Sequence, residues 1–117
     1  MKTLVGFHLI IDGQARQRRP GWTLGDLRSL LEELVSLTGL TVVSGPHLQR
    51  HGQWLIGMTI IAESHVSAHL DCEWGQAYVD VFSCRPFDYV RIPHVVARRL
   101  DLVRYQHQYI ERVSDAP

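Results

Sequence analysis

Hydrophobic and polar positions along the chain predict a strand, helix, strand, strand order that occurs twice. Residues 3–11 are rich in branched and aromatic side chains and read as a strand. Residues 14–21 are polar and end in Pro20-Gly21, which makes them a connection. Leu24, Leu27, Leu30, Leu31, Leu34 and Leu37 then recur at helical spacing and give one apolar face. Thr23 is placed to cap that helix, with Asp26 three residues on as a variant of the capping box, and Gly39 is a natural stop. Residues 40–44 read as a second strand, 45–53 as a loop, and 54–63 as a third strand.

In the second half a short strand is expected near Val66, followed by a turn at residues 73–75. Residues 76–84 form a strand in which Ala77, Val79, Val81 and Ser83 alternate with Tyr78, Asp80 and Phe82, and Arg85-Pro86 ends it. Pro93 suits the first turn of a helix running to about Leu100, and residues 102–113 return as a strand. Two β-α-β-β halves argue for an α+β fold, an α/β sandwich with a largely antiparallel sheet. The halves agree in element order and share no residue motif.

Length and charge change the picture only by exclusion. A chain of 117 residues makes one domain. Twelve basic and twelve acidic residues balance, so nothing points to a nucleic-acid or anionic-membrane partner. Arg16, Arg18 and Arg19 form the one basic cluster and, beside Pro20-Gly21, read as a solvated loop. No apolar run approaches the ~20 residues of a membrane span, and no signal-peptide pattern opens the chain, which points to a cytoplasmic enzyme subunit. Cys72 and Cys84 are the two cysteines, too few for a disulfide framework.

The candidate chemistry lies in Glu63-Ser64-His65-Val66-Ser67-Ala68-His69 and in Asp80-Val81-Phe82-Ser83-Cys84. A hydroxyl directly follows a carboxylate, two imidazoles stand within five residues of it, and a thiol comes one strand later. These are the groups a chain needs to cut its own backbone. Singly, each has a plainer reading. Ser64 could be a satisfied hydrogen-bonding group, Cys84 core filler, and His65 with His69 a metal pair if the segment were helical. The alternating, β-branched surroundings argue against a helix.

Both blocks, at this spacing and in a chain of this length, resemble the prokaryotic S-adenosylmethionine decarboxylase proenzymes. Those enzymes read Glu-Ser-His-Leu-Ser/Thr-Ile-His followed by Asp-Val/Leu-Phe-Thr-Cys. The resemblance implies self-cleavage between Glu63 and Ser64 into residues 1–63 and 64–117, with Ser64 becoming a covalent pyruvoyl group. It assigns His69 to proton transfer during processing and Cys84 to protonation of the substrate carbon. It also implies Schiff-base decarboxylation of a small-molecule substrate in polyamine biosynthesis, and a homodimer that builds each active site from both subunits.

The chain departs from the family where substrate is bound. The usual Thr-Trp-Pro-Glu-Tyr-Gly is here Leu70-Asp71-Cys72-Glu73-Trp74-Gly75, the loop of residues 47–52 has no Phe or Tyr, and the family's serine eight residues before the processing serine is Ile56. Losing aromatic faces costs an adenine site on the order of 1–3 kcal/mol per stack. Asp71 beside Glu73 suits a distal cation instead. The expectation is therefore L-ornithine or L-arginine as substrate, as in some members of the family, with Asp71 and Glu73 as its partners. The alternative is S-adenosylmethionine, with His51 or Trp54 supplying the stack, to give the decarboxylated product used for spermidine. A non-processing partner of an active paralogue is the remaining reading, and intact Glu63, Ser64, His69 and Cys84 speak against it.

Overall fold

The computed structural model describes residues 2–115. In chain order the elements are β1 (Thr3–Ala15), α1 (Leu24–Thr38), β2 (Val42–His51), β3 (Trp54–Ile61), β4 (Ser64–Asp71), β5 (Gln76–Ser83), α2 (Ile92–Leu100) and β6 (Leu102–Ser114). They form one antiparallel sheet of six strands in the order β2-β3-β4-β5-β1-β6, with both helices on one face. The α+β class and the antiparallel sheet are as expected. The first half runs β-α-β-β, whereas the second runs β-β-α-β, because β4 and β5 are joined by a short turn with no room for a helix.

The helices cover the sheet with the leucines their spacing predicts. Leu27, Leu30, Leu31 and Leu34 of α1 and Ile92, Val96 and Leu100 of α2 are buried against Leu9, Ile11, Leu55, Val66, Leu70 and Val81. The capping box at α1 is complete: Thr23 Oγ1 accepts from the Asp26 N–H at 3.1 Å, and Asp26 Oδ2 accepts from the Thr23 N–H at 2.9 Å. Arg99 of α2 pairs with Glu33 of α1 and ties the helices together. Gly57 lets α1 approach β3, since a Cβ there would meet Leu31 at 2.8 Å and Leu27 at 2.9 Å.

Residues 45–51, expected as a loop, belong to β2. Gly45-Pro46 and the polar run after it read as loop because they break the alternation of a buried strand. β2 is an edge strand, where a proline and polar side chains are tolerated, and its register with β3 shifts between Ser44 and His47.

Among the described residues the other face of the sheet carries no helix. Register aligns its side chains in rows across β3, β4, β5, β1 and β6. One row is Ile60, His65, Phe82, His8 and Ile110; another is Ile56, His69, Tyr78, Asp12 and Gln106. His8 Nε2 lies 3.0 Å from Asp80 Oδ1 in the middle of this face.

Candidate active site

Glu63 stands in the turn from β3 to β4, and Ser64 is the first residue of β4. The antiparallel register of β4 with β5 pairs His65 with Phe82, and its continuation lays Cys84 beside Glu63. The side chains follow that geometry. The Ser64 hydroxyl donates to the Glu63 carbonyl oxygen in a short contact. Cys84 Sγ lies 3.2 Å from the same oxygen and 3.8 Å from Ser64 Oγ. A hydroxyl and a thiol thus converge on the Glu63 carbonyl, and Cys84 is exposed.

His69 is elsewhere. Five residues along one strand separate it from Ser64, which is about 16 Å at ~3.3 Å per residue. His69 is exposed on the open face, edge-on to Trp54 with ring centroids 6.5 Å apart. Trp54 stacks on Tyr78 at 6.1 Å and 26°. His51, at the end of β2, is the cross-strand partner of Trp54. Trp54, His51 and His69 therefore do come together, with Tyr78 as a member the sequence reading missed, but at the far end of β4 from Ser64. Because β4 is a strand, His65 and His69 are about 13 Å apart along it and cannot share a metal ion.

The two carboxylates expected to meet a distal cation are already engaged. Asp71 is 3 % exposed. Its Oδ1 accepts from Gln53 Nε2 at 3.0 Å and from the N–H groups of Glu73 at 2.9 Å and Trp74 at 3.1 Å, so it builds the β4–β5 turn. Glu73 pairs with Arg18 at 2.7 Å and Arg19 at 3.0 Å. Hydrogen bonds from Arg19 and then Arg18 hold its carboxyl below the usual carboxylate range. The basic cluster is the solvated loop expected, with all three arginines exposed, and within it Arg18 and Arg19 clasp Glu73 while Arg18 also lies 3.9 Å over the Trp74 ring. The signal missed was charge complementarity between two segments more than 50 residues apart. Burial pushes the Cys72 thiol up, and that thiol donates to the Trp22 carbonyl at 3.8 Å.

Residues 8–113 match the model of the family described as S-adenosylmethionine decarboxylase. The S-adenosylmethionine decarboxylase proenzyme of Aquifex aeolicus is 30% identical over 122 residues, covering 98% of this chain and 90% of the relative. That of Archaeoglobus fulgidus is 40% identical over 58 residues, covering 50% of this chain and 52% of the relative. The crystal structure of the Aquifex aeolicus adenosylmethionine decarboxylase superposes with a TM-score of 0.79 at 29% identity, covering 94% of this chain and 92% of that one. With the family matched from β1 to β6, the chain belongs to the S-adenosylmethionine decarboxylase family of pyruvoyl-dependent carboxy-lyases.

Proposed function

We propose that this chain cleaves itself between Glu63 and Ser64 and that the product, as a homodimer, decarboxylates S-adenosylmethionine. The observation that carries the reading is the convergence of the Ser64 hydroxyl and the Cys84 thiol on the Glu63 carbonyl. Rotated from the carbonyl oxygen to its carbon, Ser64 Oγ forms an ester as the amide C–N bond breaks and its proton passes to the nitrogen. The Cys84 S–H faces the oxygen on which negative charge develops and stabilises it there. Loss of the Ser64 Cα proton then expels the Glu63 carboxylate and leaves dehydroalanine, which water converts to a pyruvoyl group with release of ammonia.

Ser64, next to an exposed thiol and a polarised carbonyl, fits that outcome. The pyruvoyl group supplies a ketone for the substrate amine and a neighbouring carbonyl that takes up the electron pair left by carbon dioxide. Cys84 is the acid that returns a proton to carbon, since its thiol is exposed and already beside residue 64. His69, out of reach of Ser64 in its own chain, serves the Ser64 of a second copy. The open sheet face, with Met58, Ile60, Tyr78 and Ile110 exposed on it, is the surface that meets that copy.

The substrate follows from the family match and from the state of the carboxylates. L-Ornithine or L-arginine would require Asp71 and Glu73 to be free, and one is buried in a turn while the other is held by two arginines. The stacked Trp54–Tyr78 pair, with His51 opposite Trp54, sits with His69 and so belongs with the Ser64 of the second copy, where it offers adenine an aromatic surface in place of the family's missing rings. Intact mass of the purified protein and carbon dioxide release from carboxyl-labelled S-adenosylmethionine, ornithine and arginine test this. Two chains of residues 1–63 and 64–117 and release from S-adenosylmethionine alone are expected. A single chain of full mass, or release from the basic amino acids in its place, overturns it.

A further inference from the structure

We infer that Trp54 is a positioning residue for His69, holding the imidazole by ring contact where no hydrogen bond does so. The inference rests on the reading of His69 as the proton-transfer group of self-cleavage. Ile56 is the direct cross-strand partner of His69 in the β3–β4 ladder. Side chains opposed in this way stand about 4.5–5.5 Å apart at Cβ, so a serine at position 56 would reach a ring nitrogen, and isoleucine has nothing to offer it. Among the described residues His69 has no side-chain hydrogen bond or ion pair, and its ring contact is with Trp54, at 6.5 Å and 75°.

Trp54 is itself held. It stacks on Tyr78, which is the cross-strand partner of His69 on its other side. Trp54, His69 and Tyr78 therefore lie on three adjacent strands, with the imidazole against the indole and the indole stacked on the phenol ring. A flat neighbour restricts the tilt of an imidazole while leaving both nitrogens free, as a proton carrier requires.

The test uses self-cleavage, which involves no substrate and so separates this role from nucleoside stacking. Rates of conversion of full-length protein to two chains are measured across pH for wild type, Trp54→Phe, Trp54→Ala, Trp54→Ala with Ile56→Ser, and His69→Ala. A general acid–base group contributes about 10²–10⁴-fold, so His69→Ala sets the floor and Trp54→Ala should fall at least about tenfold towards it with a flattened pH profile. Trp54→Phe should stay within about threefold of wild type, because a ring edge remains. Ile56→Ser should recover rate in the Trp54→Ala chain by giving the imidazole a polar partner, although it removes apolar contacts. Trp54→Ala cleaving at the wild-type rate and pH profile overturns the inference, and so does a double variant no faster than Trp54→Ala. Wild-type cleavage by His69→Ala overturns the reading of His69 itself, and this inference with it.

Discussion

If His69 serves the Ser64 of a second copy, two chains that are each dead alone should repair one another. Ser64→Ala lacks the oxygen that attacks, and His69→Ala lacks the group that moves the proton. In one chain the two residues are about 16 Å apart along β4, against the ~2.6–3.2 Å that proton transfer needs. No rotamer of either side chain closes that distance, and the strand between them is paired on both sides, with β3 and β5. Co-expression of the two variants with different tags, followed by intact-mass analysis, reads the outcome. At equal expression and random pairing about half of all His69→Ala chains sit in mixed dimers, where the partner carries histidine, so about half should be cut. No Ser64→Ala chain should be. His69→Ala alone should cleave slower than wild type by the ~10²–10⁴-fold typical of a lost acid–base group. If the mixture is no more cleaved than His69→Ala alone while wild type cleaves fully, His69 does not act across the dimer.

Cys84→Ala should cleave more slowly but to completion, since one donor to a developing oxyanion is worth about 10²–10³-fold, and should then turn over poorly; rates of chain conversion and of carbon dioxide release check the two roles separately. Glu73→Gln should lower the melting temperature at neutral pH. The carboxyl is depressed below its unfolded value by Arg19 and Arg18, so its stabilisation is present above the unfolded pKa and is lost as pH falls through the folded one, and the gap between wild type and variant should close in acid. Thr59→Val should raise stability by about 1 kcal/mol in denaturant titrations, because the Thr59 hydroxyl is buried with no hydrogen-bond partner among the described residues. Gly57→Ala should cost about 1–3 kcal/mol in the same titration by pressing a methyl into Leu27 and Leu31.

Features that depend on neighbours in sequence were legible before any coordinates. The α1 leucines, the Thr23–Asp26 cap and the Gly39 stop each involve residues within one or two helical turns, and the structure has them where the pattern put them. β2 was misread over residues 45–51 for a tertiary reason. An edge strand has solvent on one side, so it needs neither alternation nor an unbroken run of N–H donors, and Gly45-Pro46 is compatible with it. The elements of the second half lie where the sequence reads them one by one, and in chain order they run β-β-α-β, so it is the expected repeat of β-α-β-β that does not hold. The turn expected at residues 73–75 is present, and what the sequence does not show is that Asp71 Oδ1 closes it by accepting from the Glu73 and Trp74 N–H groups.

The site divides along the same line. The spacing of Ser64 and Cys84 is set by a hairpin register, and a register is a relation between positions in sequence. A β4–β5 pair aligning His65 with Phe82 must bring residue 84 beside residue 63, so two motifs at that separation carried their own geometry. The carboxylates carried none. A Glu–Arg pair looks identical in sequence whether the arginine is free or clamped, and the loop holding Arg18 and Arg19 reaches Glu73 only because β1 and β5 are neighbours in the sheet. An unpaired acid in sequence is therefore weak ground for a cationic substrate. Reading a substrate from charge requires knowing which charges the fold has already engaged, whereas the approach of Ser64 and Cys84 to the Glu63 carbonyl follows from register alone.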